Sequence, residues 1–351
     1  MSNTKFNVNV LNTLAPNNSA TFAEKVAYEY YAIQGHASLL VCERDQIFML
    51  KDSAGIGYVL RFTNPAEDHL VANFQTEAML HVAKVDSGIP VPRIIKTIDD
   101  KAEVLVQMEN GQTSLVRMIS FLTGIPLSRI STHSPEQRRG MAHSLARLDL
   151  ALRGFFHPAS GHELQWDLKH ASSLRAMLPD IDDTEGRALA TQGLDAFEYF
   201  ALPMFPKLRC QVIHNDLNYS NVMVDENDHS RITGIIDFGD MVLAPLINEV
   251  GVAASYHVDD SDDPLALVAE FLAAYHQVVP LDSAELEILY DLIVGRLVMT
   301  LVITESRAKW YPDNRDYILR NNQAARQGLK RLAKIGRDEG GKYLRHVCRL
   351  D

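Results

Sequence analysis

Two short polar segments, each following an apolar run, constrain this chain more than any other feature of its sequence. The first is Val212-Ile213-His214-Asn215-Asp216-Leu217-Asn218-Tyr219-Ser220-Asn221, which contains the pattern His-x-Asp-x4-Asn. The second is Ile235-Ile236-Asp237-Phe238-Gly239-Asp240, and its Asp237 lies sixteen residues after Asn221. The β-branched runs predict strands that end at these polar residues. We expect strands 222–224 and 231–236 to pair as a hairpin, which returns Asp237 to the loop that carries Asp216.

This spacing suits the transfer of a phosphoryl group to a hydroxyl. Such an acceptor needs a carboxylate within hydrogen-bond distance, and we interpret Asp216 as that base. Asn221 and Asp237 offer an amide oxygen and a carboxylate oxygen, which are the hard ligands that Mg²⁺ prefers. The alternative is that two surface strands end in polar residues by chance. Asp-Phe-Gly alone is a weak signal, whereas its combination with the first pattern at this distance is specific.

The pattern resembles the active-site sequences of kinases. Protein kinases carry Arg between the His and the Asp, where this chain has Asn215, and the chain is more similar to the aminoglycoside phosphotransferase (APH)/choline kinase superfamily. That superfamily shares the kinase fold and phosphorylates small molecules. The surrounding segments resemble hydroxylysine kinase-like phosphotransferases, and these segments are Tyr58-Val59-Leu60-Arg61-Phe62, Gly154-Phe155-Phe156-His157-Pro158-Ala159, Trp166-Asp167-Leu168, Ile236-Asp237-Phe238-Gly239-Asp240-Met241 and Pro312-Asp313-Asn314.

The resemblance implies an α+β, protein kinase-like (APH-type) bilobal fold. An antiparallel sheet would form the N-terminal nucleotide-binding lobe, residues 1–121. A mainly helical C-terminal lobe, residues 122–351, would carry the catalytic and substrate-binding residues. The hinge is expected near residues 120–124, where backbone groups of Phe121 and Leu122 would meet the nucleotide base.

The resemblance also implies how the nucleotide phosphates are held. Arg61 stands where kinases place a Lys on the third strand, and Glu77, on a predicted helix, would orient it. The alternative is that Arg61 and Glu77 are both exposed residues without such a role. The loop over the phosphates is expected at residues 43–46, which contain no glycine.

Three charged residues are candidates for binding the acceptor. Asp240 follows Asp-Phe-Gly and would face an ammonium group. Arg296 and Arg307 lie on one face of a predicted helix with Thr300 and Thr304, at spacings of four, four and three. A buried Arg needs a partner, and a bound carboxylate suits its bidentate geometry. The alternative is that Arg296 pairs with an internal carboxylate and ties helices together.

Together these features imply ATP- or GTP-dependent, Mg²⁺-dependent phosphorylation of a hydroxyl on a small amine-bearing metabolite, such as hydroxylysine or homoserine. An aminoglycoside kinase and a choline or ethanolamine kinase remain alternatives. A protein kinase is disfavoured by Asn215 and by the absence of an Ala-Pro-Glu segment after Asp-Phe-Gly. A non-catalytic pseudokinase is disfavoured by the intact Asp216, Asn221 and Asp237.

Composition limits the class of partner. The 351 residues suffice for two lobes, and 34 Lys and Arg against 45 Asp and Glu give a net charge of −11. Without a basic block, we expect no nucleic-acid binding. Three scattered cysteines indicate a reducing compartment, and the polar first twenty residues argue against a signal peptide. The longest apolar-rich stretch, 292–303, is too short to span a bilayer, so we expect a cytoplasmic protein without a membrane partner. The sequence leaves the oligomeric state open.

Local signals predict several element boundaries. Thr21 with Glu24 predicts a capping box for a helix that ends near Ile33. Ser134 with Gln137 predicts a second capping box, and Asn110-Gly111 predicts a hairpin between strands 103–107 and 114–121. The resemblance to the family further implies that Glu249, near the start of a later helix, takes the place of an Asp that supports the catalytic loop, the loop that carries Asp216. A long helix is expected from Asp282 to about Arg307.

Overall fold

The computed structural model describes residues 13–42 and 44–349, so most of the expected polar N-terminal segment and Glu43 of the predicted phosphate loop lie outside the described residues. An antiparallel sheet is built from β1 (Gly35–Leu40), β2 (Gln46–Asp52), β3 (Gly57–Phe62), β4 (Ile94–Ile95), β5 (Val104–Gln107) and β6 (Thr113–Ser120). Its order is β1-β2-β3-β6-β4, and β5 also pairs with β6. The predicted antiparallel sheet is confirmed. The hairpin at Asn110-Gly111 joins β5 to β6, with Gly111 in the left-handed region at φ 82°.

Helix α1 (Ala20–Tyr31) packs on the sheet around a core that includes Phe48, Leu60 and Phe62. The prediction of Thr21 as its N-cap is wrong. The helix begins after Ser19, whose hydroxyl accepts a hydrogen bond from the Phe22 backbone at 3.1 Å. The same hydroxyl donates to Glu109 at 2.9 Å, so a contact with the end of β5 fixes the start of the helix.

A second and larger core lies in the mainly helical region, which follows the sheet as predicted. Its α-helices are α3 (Pro135–Leu152), α4 (Thr184–Ala196), α5 (Leu246–Ser255), α6 (Ala266–Val278), α7 (Ser283–Trp310), α8 (Arg315–Ile318), α9 (Asn322–Ile335) and α10 (Arg337–Val347). The capping boxes of α3, at Ser134, and of α7, at Asp282, are both present. Helix α7 is buried over most of its length and contacts α4, α5, α9 and α10. Among the described residues, no helix has the length and apolarity that crossing a membrane requires.

Helix α2 (His69–Val85) lies between the sheet and the helical region. It buries Phe74, Ala78 and Val82 in the larger core. Its N-cap is Asp68, which accepts a hydrogen bond from the backbone of Leu70 at 2.9 Å. Packing of this apolar face therefore fixes how α2 is rotated about its own axis. That rotation decides which polar side chains of the helix reach the sheet.

Two small strand pairs bring the polar segments together. β9 (Val222–Val224) pairs with β10 (Ile232–Ile235), as predicted, and β7 (Ile125–Pro126) joins β9 on its other side. β8 (Cys210–Ile213) pairs with β11 (Val242–Pro245), with Ile213 opposite Val242. Because His214 follows β8 and Asp240 precedes β11, the loop that carries Asp216 and the Asp-Phe-Gly segment lie side by side. The Ile236 backbone N–H donates to the Asn221 carbonyl at 2.9 Å and fixes this approach.

Candidate active site

A cavity of about 470 Å³ lies between the sheet and the helical region. Nine of the ten residues that sequence analysis selected contribute to its walls: Arg61, Phe121, Leu122, Asp216, Asn221, Asp237, Asp240, Arg296 and Arg307. The exception is Glu77, which is exposed on α2. Residues that are up to 246 positions apart in the chain, from Arg61 to Arg307, therefore surround one space.

Both carboxylate oxygens of Asp216 are engaged by fixed donors. The amide nitrogens of Asn218 and Asn221 donate to Oδ2 at 3.1 Å and 2.8 Å. The guanidinium of Arg296 donates to Oδ1 at 2.9 Å. These contacts hold the carboxylate in one orientation at the cavity wall, which is what a positioned base requires.

The protonation of Asp216 is set by opposing effects. Burial raises the pKa of Asp216 to about 7, and the nearby charges of Asp240 and Asp237 act in the same direction. The Arg296 guanidinium lowers the pKa and so limits the rise. A carboxyl with a pKa near neutrality is suited to proton transfer at neutral pH.

Glu249 supports the backbone of the catalytic loop, as predicted. Its carboxylate is fully buried on α5 and accepts hydrogen bonds from the backbone N–H groups of His214 and of Asn215, the latter at 3.0 Å. Asn215 has a positive φ of 65°, which costs energy for a residue with a side chain and needs such support. His214 packs edge-on against Phe238, and its Nε2 bonds the Ile236 carbonyl at 3.1 Å. Its contacts are structural.

Asn221 and Asp237 provide the donor set of a candidate magnesium site. Asn221 uses its amide nitrogen on Asp216, so its amide oxygen, the atom that binds cations, is not consumed by those bonds. Asp237 has a left-handed backbone, and its Oδ1 accepts the Gly239 N–H at 3.2 Å. A Cβ on Gly239 would lie 2.9 Å from that oxygen, so glycine leaves room for this approach.

These residues fit a magnesium–nucleotide complex. The described residues contain no group of three or more His, Cys, Asp or Glu placed to hold a metal by themselves. Magnesium usually binds through one or two protein carboxylates, with substrate phosphates and waters completing its shell. One carboxylate and one amide oxygen are therefore a suitable protein contribution.

The predicted contact between Glu77 and Arg61 is wrong. Arg61 instead pairs with Asp45, and its Nε lies 2.5 Å from Asp45 Oδ2. Glu77 is exposed because α2 turns its apolar face to the core, and residues two positions apart on a helix point in widely different directions. The face of α2 that meets the sheet instead carries Gln75, whose side chain accepts a hydrogen bond from Arg117 on β6 at 2.5 Å, and the Ala72 carbonyl accepts another from Arg117 at 2.8 Å.

Arg61 and Arg117 form a cationic pair on the sheet, because β3 and β6 place them opposite each other. Burial, and then the charge of Arg61, lowers the pKa of Arg117 to about 9. Both residues line the cavity. Two adjacent cations of this kind are a suitable environment for a polyphosphate.

A further ion pair crosses the cavity mouth. Arg44, from the loop between β1 and β2, lies 2.8 Å from Asp240. Burial opposes ionisation of Asp240, but Arg44 outweighs it and lowers the pKa of Asp240 below its usual value. Arg44 was not among the predicted site residues, and no local signal marks it, since its partner is 196 positions away.

Arg296 pairs with an internal carboxylate, that of Asp216, which was the alternative to binding the carboxylate of an acceptor. It is almost fully buried on α7, donates to the Trp166 carbonyl at 3.1 Å, and lies over the Trp166 ring at 5.0 Å. With its bond to Asp216, these contacts make it part of the wall of the candidate site. Arg307, three turns further along α7, lines the cavity with Arg320, so positive charge extends away from Asp216.

Comparisons with known proteins identify relatives of this chain. The model of the phosphotransferase enzyme family (APH) matches residues 43–289. Hydroxylysine kinase from Danio rerio is 27% identical over 84% of this chain and 85% of its own length. Hydroxylysine kinase from Mus musculus is 25% identical over 80% of this chain and 78% of its own length.

Solved structures show the same fold. A microcompartment-associated aminopropanol kinase superposes with a TM-score of 0.64 at 19% identity, covering 93% of this chain and 100% of that protein. An amicoumacin kinase, solved with AMP-PNP and Ca²⁺, gives a TM-score of 0.64 at 15% identity, covering 88% of this chain and 93% of that protein. The chain therefore belongs to the phosphotransferase enzyme family, with the kinase-like fold expected from its two polar segments.

Proposed function

We propose that this phosphotransferase moves the γ-phosphoryl group of ATP or GTP, with Mg²⁺, to the hydroxyl of a small amino acid that bears an amine, such as hydroxylysine or homoserine. The observation that carries the proposal is the Asp216 carboxylate, held at the cavity wall beside Asn221 and Asp237. The names of the hydroxylysine kinases support the acceptor class. The nucleotide and cation bound to the amicoumacin kinase support the cofactors.

Each residue has a defined task in this proposal. Asp216 accepts the proton of the acceptor hydroxyl, and Arg296 keeps enough of Asp216 ionised near neutral pH. Asn221 and Asp237 would hold Mg²⁺, which would supply positive charge to offset that of the phosphates. Arg61 and Arg117 bind the phosphates from the sheet. Phe121 and Leu122, which follow β6, provide the wall and backbone groups for the nucleotide base.

The proposal includes two lobes, with residues 1–121 binding the nucleotide and residues 122–351 carrying catalysis and acceptor binding. Two separate apolar cores support it, one in the sheet and one in the helical region. The cavity lies between them, and Phe121 and Leu122 stand at the connection. In this proposal the nucleotide phosphates lie between Arg61 and Asp237.

The charge pattern of the cavity supports a zwitterionic acceptor. Asp216, Asp237 and Asp240 concentrate negative charge at one end, where an ammonium group would be stabilised. Arg307 and Arg320 supply positive charge beyond Arg296. Because Arg307 and Arg320 both line the cavity beyond Arg296, we assign the acceptor carboxylate to these two residues. Choline, ethanolamine and aminoglycosides have no carboxylate to offer them.

The test is a panel of acceptors with magnesium and either nucleotide. Wild-type turnover should favour hydroxylysine and homoserine over their decarboxylated analogues. Arg320→Met should reduce that preference, whereas Arg315→Met, which changes an exposed arginine outside the cavity lining, should not. Equal turnover of an amino acid and its decarboxylated analogue would exclude the proposed acceptor. Preferred phosphorylation of choline, an aminoglycoside or a peptide would assign a different one.

A further inference from the structure

The loop between β1 and β2 lies where kinases place a glycine-rich segment over the nucleotide phosphates. Residues 41–45 contain no glycine. The end of β3 holds the described part of this loop, because the Asn64 side chain donates to the Arg44 carbonyl at 3.0 Å and the Asn64 N–H donates to Asp45 at 2.8 Å. Asp45 is bound by Arg61 as well. Arg44 and Asp45 are therefore held firmly, and Arg44 is the one cationic residue of the loop.

The Arg44 guanidinium projects from this support to the opposite wall of the cavity. It bonds Asp240 at 2.8 Å, and its Nη2 lies 3.3 Å from where a Cβ of Gly239 would be. The charges of Asp240 and, less strongly, Asp237 stabilise the cation. Arg44 thus occupies the region next to the candidate magnesium ligand, where the terminal phosphates of a bound nucleotide must lie.

We propose that Arg44 exchanges partners during the reaction cycle: it pairs with Asp240 in the free protein and with the terminal phosphates when nucleoside triphosphate is bound. The exchange leaves the Asp240 carboxylate without its cation, next to Asp216 and facing the acceptor end of the cavity. Asp240 then binds the ammonium group of the acceptor. Nucleoside triphosphate binding therefore creates the amine site, and the two substrates bind cooperatively.

The physical basis is competition between two anions for one cation. A triphosphate carries more negative charge than one carboxylate and offers bidentate oxygens to a guanidinium. An Asp240 that is buried and has lost Arg44 would be costly, and a cationic ligand offsets that cost. The last step of this inference, the ammonium ligand, rests on the proposed function. The exchange of Arg44 from carboxylate to phosphate does not.

The first experiment measures nucleotide affinity by calorimetry in EDTA, without magnesium or acceptor. The probes are the β,γ-imido triphosphates of adenosine and guanosine and the corresponding monophosphates. Arg44→Met should weaken triphosphate binding by about 10- to 100-fold, the range for one hydrogen bond to a charged group. Monophosphate binding should stay within about twofold, which also shows that the variant is folded.

Asp240→Asn should change triphosphate affinity in the opposite direction to Arg44→Met. Removing the competing carboxylate should tighten triphosphate binding without magnesium by about 3- to 10-fold. In the double variant this gain should be largely lost, because under the exchange it depends on Arg44. Weaker triphosphate binding by Asp240→Asn under these conditions would overturn the exchange and show a supporting role for the pair.

Arg147→Met is the matched control. Arg147 pairs with Asp86 at 2.7 Å, joining the end of α2 to α3, and it lies outside the cavity lining. Arg147→Met should leave triphosphate affinity unchanged. That result would show that losing an arginine–aspartate ion pair elsewhere in the protein does not by itself weaken triphosphate binding. An equal effect of Arg147→Met, or unchanged triphosphate affinity in Arg44→Met, would overturn the proposal.

The second experiment measures hydroxylysine binding with and without the adenosine imidotriphosphate. In the wild type, the nucleotide should tighten hydroxylysine binding at least about fivefold, and in Arg44→Met this coupling should disappear. If hydroxylysine and homoserine do not bind at all while the nucleotide results hold, the proposed acceptor falls and the Arg44 exchange stands. If they bind without coupling to the nucleotide, the creation of the amine site is overturned.

Discussion

Replacing Arg296 by methionine is expected to raise the pKa of Asp216 and to disable the base at neutral pH. Arg296 is 2% exposed, and its Nη2 lies 2.9 Å from Asp216 Oδ1. At that separation the attraction between unit charges is about 6 kcal/mol at an effective dielectric constant of about 20. Measured shifts of carboxyl groups next to a cation are about 1–3 pKa units. Since the pKa of Asp216 is already about 7, the variant should have a value of about 8–10.

The rate follows the pKa because only the ionised carboxylate accepts the hydroxyl proton. In a profile of kcat/KM against pH, the acid limb should move upward by about 1–3 units. At pH 7 the variant should be slower by roughly 5- to 500-fold, and it should recover toward pH 9–10. Steady-state release of nucleoside diphosphate with hydroxylysine as acceptor measures this profile.

Stability should change with pH in the same variant. The pKa of folded Asp216 lies above its ordinary value of 3.8, so the folded chain binds more protons between these values. Stability therefore falls as pH rises through that window, and without Arg296 the window extends to higher pH. At pH 9, removal of one partner of a buried pair should cost about 3–5 kcal/mol in the free energy of unfolding. The loss should be smaller at pH 6, where the carboxyl is neutral.

Arg138→Met separates these effects from the loss of any buried arginine. Arg138 pairs with Glu270 at 2.7 Å, away from the cavity lining, and its side chain is 7% exposed. It should lower stability without moving the acid limb. Arg296→Lys should give an intermediate shift, because it keeps a charge but not the planar geometry. An acid limb at the wild-type position in folded Arg296→Met would refute the assignment of Asp216 as the titrating base.

Substitutions at three further residues test other parts of the site. Asp237→Ala should abolish the tightening of nucleotide binding by Mg²⁺, which calorimetry with and without the cation measures. A difference in affinity that persisted in the variant would contradict a metal-binding role. Glu249→Gln puts an uncharged amide in place of the carboxylate that accepts hydrogen bonds from the backbone N–H groups of His214 and Asn215. We expect kcat to fall about tenfold and the free energy of unfolding in urea to fall by about 1–3 kcal/mol, while nucleotide affinity stays unchanged. A normal kcat would argue against the support of the loop by Glu249. Arg61→Ala should raise the nucleotide KM and lower kcat, while Arg61→Lys keeps substantial activity; steady-state kinetics like those of the wild type in Arg61→Ala would exclude a phosphate-binding role.

The catalytic loop was predictable because its chemistry is local. His-x-Asp-x4-Asn and Asp-Phe-Gly each lie at the end of a short strand, and the pairing of Val222 with Ile235 brings them together. The cavity lining then includes Arg296 and Arg307, whose shared helix face was visible from their spacing. The capping box at Ser134 is equally local and is present.

The errors come from contacts that local sequence does not encode. The phase of α2 depends on how Phe74 and Ala78 pack in the larger core, so the sequence alone did not show that Glu77 faces outward and Gln75 inward. Arg44 and Asp240 meet only when the sheet and the helical region are placed together. The Trp166 carbonyl, which binds Arg296, is a backbone group and leaves no mark in the sequence.

Turnover by Asp216→Ala tests the central claim most directly. Phosphorylated product should be followed by phosphorus NMR with hydroxylysine, magnesium and nucleotide, alongside calorimetry of the same preparation. Loss of the base should lower kcat by roughly 10²- to 10⁴-fold, because general-base catalysis supplies about that factor. Nucleotide affinity should remain within about threefold, since Asp216 does not bind the phosphates. Near-normal turnover by folded Asp216→Ala would contradict the account.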